Sequence, residues 1–252
     1  MTTDDVVVDV SQDWVLACDV QRRFMQGLGR TSDSVDYSAR CRQVRALGGD
    51  CYDFMPLAND CLALVVGDAS GKGVAAALMI ASVQSSLRTA ALFTGNDLAT
   101  LLKIVNLQAY ASSLADRYAT VFYGVFDGAS RTLRYVNAGH TPPIVLRRNG
   151  TVDALESGGA PIGMFPDSTY EEGEVHLDPG DVVITYTDGV IEAANQSGEE
   201  WGVQGLLKAT TASARLGTEN AEHLVQSIFN SMDDFSKGCQ MDDATLTVLL
   251  VL

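Results

Sequence analysis

Four aspartates close apolar runs at glycine or threonine turns. They lie in Gly48-Gly49-Asp50, Gly67-Asp68-Ala69-Ser70-Gly71-Lys72-Gly73, Thr187-Asp188-Gly189 and Asp242-Asp243-Ala244-Thr245. Hard divalent cations take carboxylate oxygens, and Mg²⁺ or Mn²⁺ usually keeps several waters rather than filling its shell from the protein. Carboxylates spread from residue 50 to residue 243 can converge only if the fold gathers the ends of their strands. A two-metal hydrolytic centre would be written this way. Taken singly, each piece also reads as a turn, because Asp tolerates the left-handed region and Gly supplies positive φ. Asp127-Gly128, after the apolar stretch 121–126, reads as a plain turn, and Thr187-Asp188-Gly189 alone does too.

The 67–73 stretch asks for more. It follows the apolar run 62–66 and leads straight into Val74-Ala75-Ala76-Ala77-Leu78-Met79-Ile80-Ala81, a helix-like segment. Glycines there let backbone approach a ligand closely, and free amides at a helix start favour anions. A nucleotide P-loop needs four residues between its glycines and then Lys followed by Ser or Thr. Only Asp68, Ala69 and Ser70 separate Gly67 from Gly71, and Gly73 follows Lys72, so spacing and the missing hydroxyl exclude it.

The elements that would position these residues come in runs. Residues 13–28 read as a helix, with Trp14, Val15, Cys18, Phe24, Met25 and Leu28 near the 3.6 period. Gly27, Gly29 and the polar 30–36 stretch end it. Strands are predicted over 37–44, 50–57 and 61–67, then helices over 74–93 and 97–115, the second capped by Asn96 or Asp97. A β-rich block follows at 120–126, 132–137, 143–148 and 181–187, punctuated by glycines. Helices at 201–212 and 220–232 precede a last strand at 244–252. Strands in runs with helices in pairs predict antiparallel sheets flanked by helices, an α+β arrangement.

Composition narrows the class. At 252 residues and 46% hydrophobic, the chain can build a substantial core. A net charge of −15 argues against nucleic acid or anionic membrane as partner, since both need clustered Lys and Arg. No apolar run looks long enough to span a bilayer, and Met1-Thr2-Thr3-Asp4-Asp5 does not open a signal peptide. Cys18, Cys41, Cys51, Cys61 and Cys239 are odd in number and lack Cys-x-x-Cys spacing, which predicts reduced thiols and a cytoplasmic protein. His140, His176 and His223 are too scattered for a metal-ligand motif.

Six segments together carry a family resemblance. Gly48-Gly49-Asp50-Cys51-Tyr52-Asp53-Phe54, the 67–73 stretch, Asn137-Ala138-Gly139-His140-Thr141-Pro142-Pro143, Pro161-Ile162-Gly163-Met164, Tyr186-Thr187-Asp188-Gly189-Val190-Ile191-Glu192-Ala193 and Asp242-Asp243-Ala244-Thr245 follow in order. They resemble the SpoIIE/RsbU-type serine phosphatases, the bacterial branch of the metal-dependent, protein phosphatase 2C-like (PPM) enzymes. Cys51 departs from the Tyr usual at that position, a change expected to affect packing rather than chemistry.

The resemblance implies a four-layer αββα sandwich, two antiparallel sheets flanked by helices. It implies that Asp50, Asp68, Asp188 and Asp242, with the Ala69 carbonyl, ligate two Mn²⁺ or Mg²⁺ ions, Asp68 bridging them. Asp242 is preferred to Asp243 because the family's usual ligand is the first of that pair, and Asp243 is expected to shape the site. His140 is a candidate for contact with substrate or solvent at the centre, and Lys72 a candidate phosphate contact against its plain reading as a solvated helix-start lysine. The implied reaction is hydrolysis of phosphoserine or phosphothreonine on a protein by a metal-bridging hydroxide.

The implied substrate is a phosphorylated STAS-type anti-sigma-factor antagonist in a partner-switching circuit. Residues 1–30 form an N-terminal helical segment, expected either to cover the core or to act as a switch or homodimer-forming helix, and residues 31–252 form the phosphatase domain. No sensor domain is recognisable before residue 13, so input is expected through a partner or through that helix. The alternatives are a phosphatase-fold protein acting on small phosphorylated molecules and a non-catalytic binding module. The second would need lost ligands, and all four aspartates are present.

Overall fold

The computed structural model describes residues 10–25, 33–95, 97–113, 116–215 and 220–252. The expected end of the first helix at 26–28, the alternative cap Asn96 and the expected helix end at 114–115 lie outside them.

The chain runs α1 (Val10–Phe24), β1 (Val35–Arg42), β2 (Asp50–Pro56), β3 (Cys61–Ala69), α2 (Val74–Ala91), α3 (Leu98–Ser112), β4 (Ala119–Asp127) and β5 (Thr132–Ala138). It continues through β6 (Ile144–Leu146), β7 (Val152–Ala154), β8 (Gly158–Gly159), β9 (Gly173–His176), β10 (Val182–Tyr186), α4 (Asp188–Ile191), α5 (Gly202–Arg215), α6 (Ala221–Ser236) and β11 (Ala244–Val251). One sheet has the order β1-β11-β10-β6-β7, antiparallel throughout. The other has β2-β3-β4-β5 antiparallel, and the outer edge of β5 carries β8 parallel and β9 antiparallel.

Alternation explains the layering. Along β3, Ala63 and Val65 face a core shared with α2 and α3, whereas Leu62 and Leu64 face the space between the sheets. On β11, Leu246 and Val248 face α5 and α6, while Leu249 and Val251 face the inter-sheet core. Both faces of these strands are buried, so period-2 geometry produces the continuous apolar runs seen in the sequence. Three stacked cores give the αββα sandwich.

By length and composition, α2 is apolar enough to cross a membrane, contrary to the expectation that no run approaches that length. Its Ala76, Ala77, Ile80, Val83, Gln84, Leu87 and Ala90 are buried in the fold, which accounts for its composition. The short β7, β8, β9 and α4 escaped the sequence reading, since two to four residues carry too little periodicity to register. Asp97 caps α3, accepting a hydrogen bond from Thr100 N at 2.8 Å.

Candidate metal centre

Asp50 begins β2 and Asp68 lies near the end of β3, directly opposite each other in the antiparallel register. Cross-strand partners point to the same face, so the two carboxylates are neighbours by construction. Asp188 begins α4, separated from β10 by Thr187 alone, and Asp242 and Asp243 immediately precede β11, the strand beside β10. The fold thus gathers four carboxylate-bearing strand ends that are up to 193 residues apart at one edge of the sandwich, where sheet meets sheet.

Two threonines join the sheets at this point. Thr187 Oγ1 and Thr245 Oγ1 both donate to Asp50 Oδ2, at 2.8 and 2.7 Å. Thr187 Oγ1 in turn accepts from Thr245 N at 2.9 Å. Asp50, Thr187 and Thr245 are all buried. Neither hydroxyl had a role in the sequence reading, although each sits beside a candidate ligand.

Asp243 shapes the loop. Its Oδ1 accepts from Val44 N at 2.8 Å and its Oδ2 from Gly49 N at 2.9 Å, fixing the turn that delivers Asp50. A Cβ on Gly48 would lie 2.3 Å from Asp243 Oδ2, so glycine is required there for close approach. The same applies to Gly189, where a Cβ would fall 2.0 Å from the Asp243 carbonyl oxygen. Gly189 has no positive φ, so this Asp-Gly pair serves close packing of α4 on β11 rather than a left-handed turn. Asp127-Gly128 is the plain turn expected, with Asp127 Oδ1 accepting from Ala129 N and Ser130 N.

The carboxylates repel one another. Burial first, then the Asp68 charge, pushes Asp50 well above the ordinary carboxylate range, against the pull of the Thr245 and Thr187 hydroxyls. Burial and the charges of Asp188, Asp242 and Asp243 push Asp68 up to about 7, with Lys72 opposing. Asp188 is raised by burial and by Asp242. A cluster of hard oxygen donors raised by mutual repulsion is what a divalent cation relieves, so the residues fit such an ion. Among the described residues no three His, Cys, Asp or Glu side chains close around one point. Asp242 Oδ2 instead pairs with Lys72 Nζ at 2.7 Å. Mg²⁺ and Mn²⁺ retain waters, so a closed cage is not required. The Ala69 carbonyl oxygen lies against Gly49, beside Asp68.

His140 is set back from the open side. It is buried, and its Nδ1 lies 2.9 Å from Thr120 Oγ1, which also reaches the Asp68 carbonyl at 3.5 Å. Nε2 makes no hydrogen bond of normal geometry, although the Tyr186 backbone favours its protonated form; burial outweighs this and lowers the imidazole to about 4. The expectation of contact with substrate or solvent does not match this position, and His140 instead props β4 behind Asp68. The N-terminal helix also touches the site. Gln21 Nε2 donates to Gly48 O at 2.7 Å and Gln21 Oε1 accepts from Gly48 N at 3.2 Å, gripping the loop before Asp50. Gln21 is buried by this contact, and nothing in its sequence neighbourhood marks it.

The family model for Stage II sporulation protein E (SpoIIE) matches residues 58–251. The chain is 32% identical over 231 residues to Protein IcfG of Synechocystis, covering 80% of this chain and 36% of that protein, so it spans about a third of that relative's length. It is 25% identical over 244 residues to phosphoserine phosphatase RsbU of Bacillus subtilis, covering 96% of this chain and 70% of that one. Among solved structures, the SiaA-PP2C domain of Pseudomonas aeruginosa superposes with a TM-score of 0.81 at 22% identity, covering 96% of each chain. The catalytic domain of the serine threonine protein phosphatase PstP, solved with two manganese ions, gives 0.64 at 17% identity over 87% of this chain and 99% of that one. A family match over most of the chain, on a PP2C-like sandwich whose aspartates gather at one edge, establishes that this chain belongs to the SpoIIE family of phosphatases.

Proposed function

We propose that the chain is a metal-dependent phosphatase acting on phosphoserine or phosphothreonine of a protein, with a STAS-type anti-sigma-factor antagonist as substrate. The observation that carries the reading is Asp50 facing Asp68 at the junction of the sheets, with Asp188 and Asp242 beside them. Two Mn²⁺ or Mg²⁺ ions held by Asp50, Asp68, Asp188, Asp242 and the Ala69 carbonyl would supply charge neutralisation and an activated water. The chain's own residues prepare the place for them. Thr187 and Thr245 fix the Asp50 carboxylate, and Asp243 fixes the Gly49 amide next to it. Phosphate monoesters hydrolyse extremely slowly unaided, so pre-positioned charge must supply most of the barrier reduction. The likeness to a protein named phosphoserine phosphatase and to one solved with two manganese ions supports this reading.

Mn²⁺-dependent release of phosphate from a serine-phosphorylated STAS-domain protein tests it, alongside free phosphoserine and p-nitrophenyl phosphate. The phosphoprotein is expected to be the best substrate by kcat/KM. Equal or better turnover of free phosphoserine would favour the small-molecule reading, and full activity in excess chelator would remove the metal reading.

We also place the protein in the cytoplasm, which its five free thiols support. Trp14, Val15, Leu16 and Val20 are exposed along α1, supporting a homodimer through that helix. Sedimentation of the chain with and without residues 1–30 tests this, and a monomer in both cases would sink it.

A further inference from the structure

We propose that Lys72 is a built-in counter-cation that holds Asp242 until a metal ion takes its place, so that metal loading at Asp242 is an exchange of cations. The inference rests on the metal reading above and concerns how this chain's own lysine governs it. Lys72 Nζ lies 2.7 Å from Asp242 Oδ2 and 3.4 Å from the Met241 carbonyl oxygen. It thereby bridges the loop before α2 to the loop before β11, across 170 residues of sequence.

Both partners are only half-covered, at 50% and 40% side-chain exposure, so the pair can open without disturbing the core. Lys72 stands between Gly71 and Gly73, whose φ angles of 94° and 77° belong to glycine, and Gly73 caps α2 without a side chain. A Cβ on Gly71 would meet Arg117 Nη1 at 2.0 Å, so glycine there also lets the arginine approach the loop.

Two arginines flank the same loop, Arg45 close to Gly73 and Arg117, which donates to Ser70 O at 2.9 Å beside Gly71. Asp243 does not compete for Lys72 by hydrogen bonding, since its two oxygens are held by Val44 N and Gly49 N. Asp242 is thus the carboxylate that Lys72 grips and the one a cation would have to win from it.

The test combines calorimetry with chemical labelling on the full chain. Lys72→Met should bind Mn²⁺ roughly three- to fivefold more tightly than wild type, the worth of a half-exposed ion pair. In an Asp242→Asn background the same substitution should have a clearly smaller effect, because the direct competition for that carboxylate is then gone. Acetylation of Lys72 by a limiting active ester, read by mass spectrometry, should rise several-fold when Mn²⁺ is added. Unchanged or weaker Mn²⁺ affinity in Lys72→Met, an undiminished effect in the Asp242→Asn background, or labelling that ignores bound Mn²⁺ would each overturn the exchange. Failure of the wild type to bind Mn²⁺ at all would instead overturn the metal reading on which it stands.

Discussion

The Thr187–Thr245–Asp50 lattice makes a prediction whose size follows from the hydrogen bonds. Thr245→Val keeps the side chain's shape and removes one of the two hydroxyls donated to Asp50 Oδ2. Both residues are buried, so water cannot replace the donor freely. A hydrogen bond contributes about 0.5–1.5 kcal/mol between neutral groups and about 1.5–3 kcal/mol to a charged one, and burial with the Asp68 charge favours a protonated Asp50 in chelator. The expected cost is about 1–2 kcal/mol, or a fall in Tm of roughly 2–8 °C for a chain of this size.

Thr187→Val should cost more. Thr187 Oγ1 donates to Asp50 and also accepts from Thr245 N, so its loss leaves a buried N–H without that acceptor. An unsatisfied buried donor adds about 1–3 kcal/mol. The double variant should lose less than the sum of the singles, because the three groups form one network. Guanidinium unfolding in chelator, followed by circular dichroism, measures all three, and calorimetry should show weakened Mn²⁺ binding in each. A Thr187→Val cost no larger than that of Thr245→Val, or single costs under about 0.5 kcal/mol, would refute the reasoning.

Chelation should abolish phosphatase activity and Mn²⁺ restore it, and Asp68→Asn and Asp188→Asn should each abolish turnover while far-UV circular dichroism stays native; wild-type rates in either variant would misplace the centre. Asp242→Asn should sharply weaken Mn²⁺ binding at little cost in stability, since its partner Lys72 is half-exposed, whereas Asp243→Asn should bind the metal but unfold earlier because an amide cannot accept from both Val44 N and Gly49 N. The reverse ranking in calorimetry and melting would exchange their roles. His140 is held near 4, below its unfolded value of 6.5, so the unfolded chain binds the extra proton in that window and His140's contribution is lost as pH falls from about 6.5 to 4. Wild type should lose up to about 3 kcal/mol relative to His140→Gln over that range, and parallel stability curves would contradict this. Gly189→Ala should prevent native folding or destabilise by more than about 3 kcal/mol, because the new methyl meets backbone at 2.0 Å; a soluble variant with native Tm would show that α4 can shift.

The apolar runs of β3, β10 and β11 and the helical spans of α2, α3 and α6 were legible because each is local, depending on periodicity within a few residues. The four aspartates were legible for a similar reason, each marking the end of such a run. The pairing of Asp50 with Asp68 needed the β2–β3 register, and their union with Asp188 and Asp242 needed the packing of one sheet on the other. Roles defined by distant partners left no local trace. Thr187 and Thr245 look like ordinary strand-end hydroxyls until Asp50 arrives between them, 137 and 195 residues away in sequence. Gly189 looks like a turn residue until the Asp243 carbonyl occupies the space its side chain would need. Lys72 looks like a solvated lysine until Asp242 is brought within 2.7 Å. Local residue patterns were enough to show which side chains could hold a cation and which segments could be strands. Which groups meet depends on packing, because hydrogen bonding, desolvation and steric exclusion act over a few ångströms of space regardless of separation along the chain.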